Sequence, residues 1–511
     1  MKSLKHTTTA QPNKINMSKI GGLSVLFLSL TACQTIPKAQ TEPVVANPQI
    51  ATEQPYQTYD SQTISNANQP SIAHQRWQDF YSDANLKQLI ALGLENNKGI
   101  EAQILAIESA KAQYRIKDNA NVPNLSATGS AGYKGDFDGN NSDNYSVGLG
   151  TSYEFDFWGK VANQKQASLE QFFATAAAKD TAQITLISNI AQAYVNYGYI
   201  NSQLALAEKT LKNRDQAYQI NRKRFQAGLD SELTSAQSLA SVESVKKNIA
   251  QLTTQRLQAQ NAISALVGLP ADNRVLALLP KQAVKQITQQ KVFSTGLPSE
   301  LLLYRPDLRK AEHELKAAGA NVNIARASYF PNISLSANAG TGSLSLGDLF
   351  KSGSFSWGIT PSINLPIFNP SLTQQYNISE IAQRQALSQY EQNIQTAFTE
   401  VKDALATRAT LNAQLNASVG ATNANKKSYD ISYARFRAGL DNYLGVLSAE
   451  TGLYNSEQEI LAIGKERLLS EITLYKVLGG GANVDVPLEA PIDTHKNASD
   501  YITDIAKKAK Q

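Results

Sequence analysis

Cysteine, methionine and histidine are scarce in this chain of 511 residues, which contains one Cys, two Met and four His. A single cysteine excludes an intrachain disulfide and a metal site built from several thiolates. The four histidines are far apart in the sequence, and none begins a His-Glu-x-x-His zinc motif. We therefore predict no metal site.

Nucleotide-binding glycine motifs are also missing. No segment matches G-x-x-x-x-G-K-[ST], and Gly148-Leu149-Gly150 is followed by Tyr153 where a dinucleotide motif needs a third glycine. No set of side chains in the sequence matches a known catalytic arrangement. We predict that the protein is not an enzyme and that it binds no cofactor.

Excess charge is confined to the N-terminus. The formal net charge is +5, and the only Lys, Arg, Asp or Glu residues before position 33 are four lysines, so their removal leaves +1. A nearly neutral chain has no electrostatic attraction to nucleic acid, and we expect no such partner.

Proline is absent from two very long stretches, residues 160–226 and 371–437. As continuous helices they would each be roughly 100 Å long, because an α-helix rises about 1.5 Å per residue. Apolar residues in them, such as Ile184, Ile187 and Ala191, have the spacing of coiled-coil packing.

Each long stretch ends in nearly the same heptapeptide. Residues 224–230 read Arg-Phe-Gln-Ala-Gly-Leu-Asp, and residues 435–441 read Arg-Phe-Arg-Ala-Gly-Leu-Asp. The Ala-Gly pair predicts a helix end with a left-handed glycine, and the Asp could cap the next helix. We expect two helical hairpins, turning at 227–230 and 438–441, whose similarity indicates an internal duplication.

Alternating segments precede each long helix. We predict four strands with one apolar face and one small polar face, at residues 124–133, 145–157, 332–340 and 354–365. Strands of this length and pattern are typical of transmembrane barrels, although a soluble sheet with one dry face has the same alternation. Aromatic residues at the end of the second strand favour the membrane interpretation.

Four strands cannot close a barrel, and open strand edges are not tolerated in lipid. Closure therefore requires several chains. The sequence pattern permits 8, 12 or 16 strands from two, three or four copies and does not choose among them.

The N-terminus reads as a lipoprotein signal. A short apolar segment follows Lys19 and ends in Leu30-Thr31-Ala32-Cys33, which resembles the bacterial lipobox, in which the cysteine is diacylated. Gln34 follows it, where an Asp would favour retention in the inner membrane. Met1 and Met17 are both possible starts. An ordinary signal followed by a free cysteine is the alternative.

These patterns divide the chain into a series of segments. They are a signal peptide at 1–32, a lipidated tether at 33–80, a first repeat at 81–268, a linker at 269–298, a second repeat at 299–478 and a tail at 479–511.

Three motifs resemble those of the TolC-like outer-membrane factors, in the lipoprotein branch that serves RND-type drug efflux pumps. The motifs are Tyr153-Glu-Phe-Asp-Phe-Trp-Gly-Lys160, Arg305-Pro-Asp-Leu308 with Ala311-Glu312, and Ala327-Ser-Tyr-Phe-Pro331. The resemblance covers about residues 75–480. It implies a mixed α and transmembrane β fold, in which a trimeric 12-stranded β-barrel continues into a long α-helical barrel of coiled-coil hairpins.

The resemblance also implies a function. We expect a homotrimer in the outer membrane of a Gram-negative bacterium, held by Cys33 to outer-membrane lipids and extending into the periplasm. It would be a passive conduit that exports drugs and other small molecules, opened at its periplasmic tip by an adaptor protein and supplied by an inner-membrane RND-type pump. A duct for type I protein or peptide secretion, driven by an ABC exporter, is the alternative, and a lipid-anchored coiled coil without a pore is a third possibility.

The turns are the expected functional site. The adaptor would dock on Ala227, Gly228 and Leu229 and on Ala438, Gly439 and Leu440. Relatives carry acidic residues near the tunnel mouth where this chain has Gly445 and Ser448, so Asp441, Tyr443 and Leu447 become the candidates for the constriction. Asp230, Asp441, Arg435 and Arg437 could form a weak latch, or the two Asp residues could simply cap helices.

Overall fold

The computed structural model describes residues 56, 63–64, 71–135, 137, 141–289, 292–295 and 299–480. The predicted signal peptide, the lipidation site Cys33 and the tail from residue 481 onward lie outside these residues. The described residues form two compact units. The sheet unit comprises residues 119–164 and 319–382, and the helical unit comprises the rest.

Ten α-helices lie among the described residues. They are α1 Trp77–Phe80, α2 Ala84–Asn96, α3 Lys98–Asp118, α4 Lys160–Gln226, α5 Glu232–Val267, α6 Asn273–Leu276, α7 Glu300–Tyr304, α8 Pro306–Ala327, α9 Pro370–Arg437 and α10 Tyr443–Val477. Helices α4 and α9 contain 67 and 68 residues and match the two proline-free stretches. Within the described part of the chain, no helix combines the length and the apolar composition needed to cross a bilayer.

Six strands occupy the same described residues. They are β1 Thr63–Ile64, β2 Asn124–Gly135, β3 Asn141–Phe155, β4 Phe293–Ser294, β5 Asn332–Ser343 and β6 Phe355–Asn364. Strands β2, β3, β5 and β6 form one antiparallel sheet in that order, so that β2 and β6 are its edges. Strands β1 and β4 form a short parallel pair in the helical unit.

The register places the apolar residues of all four strands on one face of the sheet. Residues paired directly across antiparallel strands share a face. One row across the sheet is Ala127, Leu149, Ala339 and Trp357, and the adjacent row is Ser126, Gly150, Asn338 and Gly358. The apolar face is open to solvent in a single chain, where Leu125 is 75% exposed and Trp357 is 70% exposed.

The segment Asp156–Lys160 connects the end of strand β3 to the start of helix α4. The Asp156 carboxylate accepts hydrogen bonds from the backbone N–H groups of Val161 (3.0 Å) and Ala162 (2.7 Å), which are free at a helix start. The Trp158 Nε1–H donates to the carbonyl of Pro331 at 2.8 Å. We predicted that the strand extends to residue 157. It ends at Phe155 because Asp156 is committed to the helix cap.

The core of the helical unit joins residues from both halves of the chain. Phe80 lies flat against Tyr475, with ring centroids 4.0 Å apart and planes 7° apart, and both rings are buried. Arg408 of α9 donates to the Thr63 hydroxyl of β1 at 2.7 Å and lies 4.1 Å from the ring centroid of Phe293 in β4. The short β1–β4 pair is thereby fixed to α9.

The duplication is visible in matching contacts. The Asn97 side chain donates to the carbonyl of Leu266 at 2.8 Å, and Arg305 donates to the carbonyl of Val477 at 3.1 Å. The compact units nevertheless differ from the sequence repeats. Each repeat gives two strands to the sheet unit and its long hairpin to the helical unit, because the strands of both repeats pair in one sheet.

Candidate functional site: the helix turns and the contacts beside them

The two predicted turns have the same geometry. Gly228 has a φ angle of 70° and Gly439 one of 75°, which confirms the left-handed conformation expected of both. The N–H of Leu229 donates to the carbonyl of Arg224 at 2.8 Å, and the N–H of Leu440 donates to that of Arg435 at 3.0 Å. This is the Schellman pattern, which satisfies the last carbonyls of a helix. Any residue with a side chain would be strained at either glycine.

The helix caps after the turns differ from our expectation. Helices α5 and α10 begin at Glu232 and Tyr443, so their caps are Ser231 and Asn442 rather than the aspartates before them. The Ser231 hydroxyl accepts from the N–H of Thr234 at 3.3 Å, and the Asn442 side chain accepts from the N–H of Gly445 at 3.2 Å. The prediction that Asp230 and Asp441 cap these helices is wrong, because each helix starts one residue later than we assumed.

Both aspartates instead form ion pairs across their own turn. Asp441 accepts from Arg435 at 2.6 and 3.2 Å, and Asp230 lies 3.4 Å from Arg224. The hydrogen bond with Arg435 holds the pKa of Asp441 below its ordinary value. Arg437 and all six residues of the two docking segments, Ala227–Leu229 and Ala438–Leu440, are exposed.

Tyr443 and Leu447, which we expected at a constriction, belong to an interior cluster of the protomer. Tyr443 is 2% exposed and packs with Phe436, Ala217 and Val446, and Leu447 is half-buried against the same group. The Tyr443 ring is 5.9 Å from that of Phe436. As the first residue of α10, Tyr443 folds back over the turn, because burying its ring against Phe436 removes apolar area from water.

A buried ion pair links the two hairpins, which we define as α4–α5 and α9–α10. The Arg214 guanidinium of the first hairpin lies 3.1 Å from the Glu450 carboxylate of the second. Both side chains are about nine-tenths buried, and Arg214 also donates to the carbonyl of Ser241 at 3.3 Å. Burial raises the pKa of the Glu450 carboxyl, and Arg214 opposes that shift.

Further polar contacts connect the same hairpins. The hydroxyls of Ser241 and Tyr443 are 3.4 Å apart, and the Asn248 amide donates to the Tyr454 hydroxyl at 2.7 Å. The Arg224 guanidinium lies 5.8 Å from the ring centroid of Phe436. Each neutral polar contact of this kind adds only about 0.5–1.5 kcal/mol to stability, because it replaces contacts with water.

Arg214 and Glu450 were not among the residues predicted from the sequence. The available signal was a heptad on α4, where Ala207, Arg214 and Asn221 occupy one coiled-coil position and are all buried. A charged residue at a core position of a coiled coil has to find a partner on the facing helix.

Exposed leucines flank both turns at equivalent places. Leu229 and Leu233 are 72% and 66% exposed, and Leu440 and Leu444 are 69% and 56% exposed. Each hairpin thus has one exposed leucine in its turn and a second in the first turn of the helix that follows.

Comparison with protein families gives one clear match. The family model described as outer membrane efflux protein matches residues 89–269 and 297–480. The two matched ranges correspond to the two repeats, and they include both turns and all four strands of the large sheet.

Named relatives and solved structures agree with this match. The chain is 36% identical over 459 residues to the cation efflux system protein CusC of Escherichia coli strain K12, covering 89% of this chain and 97% of the relative. It is 36% identical over 496 residues to the toluene efflux pump outer membrane protein TtgC of Pseudomonas putida, covering 92% and 99%. The open-state structure of the Neisseria gonorrhoeae MtrE outer membrane channel superimposes with a TM-score of 0.74 at 34% identity, over 88% of this chain and 99% of that one.

Proposed function

The chain belongs to the outer membrane efflux protein family and is the outer-membrane channel component of an efflux system, and on that premise we propose how it conducts and closes. Three copies form one passive conduit. Its tip is held shut by the contacts between the two hairpins of each protomer, and an adaptor protein opens it.

The assembly of three copies is proposed from the large sheet. Its apolar residues share one face, and the outer edges of β2 and β6 pair with no other strand among the described residues. Lipid requires every backbone polar group to be paired, so β6 of one copy would pair with β2 of the next. Three copies give 12 strands with the apolar face toward lipid. Native mass spectrometry in mild detergent tests this, and a species that is only monomeric would contradict it.

Acylation of Cys33 would anchor the N-terminus in the same membrane. The lipobox-like sequence before Cys33 supports this, and two acyl chains are sufficient for stable anchoring. The test replaces Cys33 by Ser behind an ordinary signal peptide and follows incorporation of labelled palmitate. Label that persists in Cys33→Ser would refute the anchor, while trimers of that variant should still insert through their strands.

Closure of the tip rests on the buried pair Arg214–Glu450 and on the hydroxyl contact of Ser241 with Tyr443. Both join one hairpin to the other and lie close to the turns in sequence. Glu450→Gln combined with Tyr443→Phe should raise the conductance of isolated trimers in planar bilayers, because both contacts are weakened. Glu459→Gln, an exposed position of the same helix, is the matched control. Unchanged conductance of the double variant would remove this pair of contacts from the gate.

The turn ion pairs are a second candidate for the closing contacts. Asp441 is held by Arg435 of its own turn, whereas Arg437 is exposed and could reach another copy. Arg437→Ala with Asp441→Ala would raise conductance if these residues act between copies. Equal conductance of this variant and the wild type would confine them to stabilising the turn.

Adaptor docking is proposed at the turns and their leucine pairs. Outer membrane efflux proteins work with periplasmic adaptors and inner-membrane pumps. Leu229→Asn with Leu440→Asn should weaken adaptor binding and increase drug sensitivity, without changing the conductance of isolated trimers. Gln219→Asn, an exposed position on α4, is the control. Adaptor pull-down and drug susceptibility measure the two effects.

The inner-membrane partner is proposed to be an RND-type pump, and the cargo drugs and other small molecules. The two relatives at 36% identity are named for the efflux of cations and of toluene, and both are efflux proteins. Susceptibility of a deletion strain to a panel of drugs and metal salts tests the cargo. A strain that loses only secretion of a protein or peptide would favour the alternative, an ABC-driven export duct.

A further inference from the structure

Asn221 of α4 is completely buried, yet neither atom of its amide has a hydrogen-bond partner among the described residues. Buried amides nearly always find partners, since an unpaired donor or acceptor away from water raises the free energy of the structure. The buried contacts described above between the two hairpins favour their association. The unpaired amide of Asn221 makes that association less favourable.

The position of Asn221 on α4 places it in the seam between the hairpins. Ala217 and Arg224, at four residues before it and three after it, share its face of the helix. Ala217 packs with Phe436 and Tyr443 of the second hairpin, and the Arg224 guanidinium lies over the Phe436 ring. Arg214, one helical turn before Ala217 on the same face of α4, pairs with Glu450. Asn221 is therefore flanked on both sides by residues that contact the second hairpin.

An apolar residue would complete this seam. Ala207, two heptads before Asn221, is also fully buried and packs against Leu204 and Leu252. Leucine branches at Cγ as asparagine does and is larger, so a leucine at residue 221 would remove the unpaired amide and fill the site more tightly. The chain has instead an amide at a position that the packing of the described residues keeps from water.

We propose that Asn221 is a gating residue, which destabilises the closed packing of the two hairpins and so brings the open state within reach of adaptor binding. The proposal rests on the gate described under Proposed function. When the hairpins separate, water reaches the Asn221 amide and the unfavourable burial is relieved. Contacts such as Arg214–Glu450 act in the opposite direction, and the balance of the two sets how strongly the adaptor has to bind.

The test compares Asn221→Leu with Gln219→Leu, an exposed position on the same helix, as trimers in planar bilayers. Asn221→Leu should lower the open probability about tenfold, the effect of removing one unpaired buried polar group. It should also raise the thermal midpoint of the trimer and make cells more drug-sensitive at equal expression. Gln219→Leu should change none of these. An open probability of Asn221→Leu equal to or above the wild-type value would overturn the proposal.

A second comparison separates this proposal from the gate itself. Glu450→Gln should open the channel, and adding Asn221→Leu should restore closure, because the two changes act on one equilibrium with opposite signs. If Glu450→Gln opens the channel and Asn221→Leu does not reverse it, the Asn221 assignment fails and the gate stands. If Glu450→Gln has no effect while Asn221→Leu closes the channel, the ion pair is not the latch and Asn221 remains a gating residue.

Asn221→Ala is the control for misfolding of Asn221→Leu, because it removes the amide without adding bulk. Both variants should form trimers that bind the adaptor. A lower open probability in both supports the proposal, and a gain of open probability in Asn221→Ala shows that the side chain closes the seam by packing, which overturns it.

Discussion

At the scale of residues, two neighbours at the second turn have separate tasks. Asn442 accepts the hydrogen bond that caps α10, while Asp441 pairs with Arg435 across the turn. An N-cap side chain stabilises a helix by about 0.5–2 kcal/mol, whereas an exposed ion pair adds little to stability.

Replacement of the two neighbours should therefore have unequal effects. Asn442→Ala should lower the thermal midpoint of the protein, because the N–H of Gly445, which has no carbonyl partner within the helix, loses its acceptor. Asp441→Ala should leave the midpoint nearly unchanged. Ser231→Ala at the first turn repeats the cap experiment, and calorimetry measures all three. A loss in Asp441→Ala as large as that in Asn442→Ala would mean that the ion pair, not the cap, holds the turn.

Glu471 of α10 makes stability depend on pH. Burial raises the pKa of its carboxyl to about 7 from an ordinary value of 4.5, and Arg467 and Arg408 oppose the shift. Between these values the folded state binds a proton that the unfolded state has released, so stability falls as the pH rises through this window.

Glu471→Gln should remove that dependence, because a glutamine stays neutral at every pH. The variant should match the wild type near pH 4.5 and exceed its stability above pH 7, by at most about 3.5 kcal/mol at roughly 1.4 kcal/mol per pKa unit. Thermal midpoints at pH 5 and pH 8 measure the difference. The control is Glu459→Gln, an exposed glutamate on the same helix. A pH profile of Glu471→Gln parallel to that of the wild type would contradict the assignment.

At the scale of elements, the start of α4 depends on one side chain. Asp156 accepts from the N–H groups of both Val161 and Ala162, so Asp156→Ala leaves two donors without acceptors. We expect a loss of about 0.5–2 kcal/mol, and a smaller loss in Asp156→Asn, which keeps one acceptor oxygen. Thermal unfolding followed by circular dichroism measures both. Equal losses in the two variants would indicate that the charge of Asp156, rather than its hydrogen bonds, is what matters.

At the scale of the whole molecule, the sheet has two faces of opposite character, and the proposed barrel gives them opposite surroundings. Ile359 lies on the apolar face, and Thr360, the next residue of β6, lies on the polar face. Arginine on the lipid face of a barrel strand costs about 2–4 kcal/mol near the centre of the membrane.

Ile359→Arg should therefore reduce the amount of trimer in the outer membrane, and Thr360→Arg should be tolerated there because its side chain would face the water-filled interior. Membrane fractionation and heat-modifiable mobility on gels measure insertion and assembly. Insertion of Ile359→Arg with failure of Thr360→Arg would reverse the proposed orientation of the sheet.

Local features of this protein were determined by the sequence alone. The four strands of the large sheet lie within a few residues of their predicted positions, and the two proline-free helices and the left-handed glycines Gly228 and Gly439 lie where their patterns predict them. Alternation, helical periodicity and the allowed φ of glycine are properties of a residue and its near neighbours, so they can be read without knowing the fold. The internal duplication made the same features visible twice.

Only the tertiary structure decided which side chains meet. Arg214 and Glu450 are 236 residues apart in the chain, and nothing near either of them in sequence indicates the other. Tyr443 packs with Phe436 in an interior cluster, and Asp441, for which a helix cap and a latch with arginine were both open, pairs with Arg435. Contacts of this kind depend on how two hairpins of similar sequence pack against each other, because burial and pairing are settled by the neighbours that packing brings together, not by the neighbours along the chain.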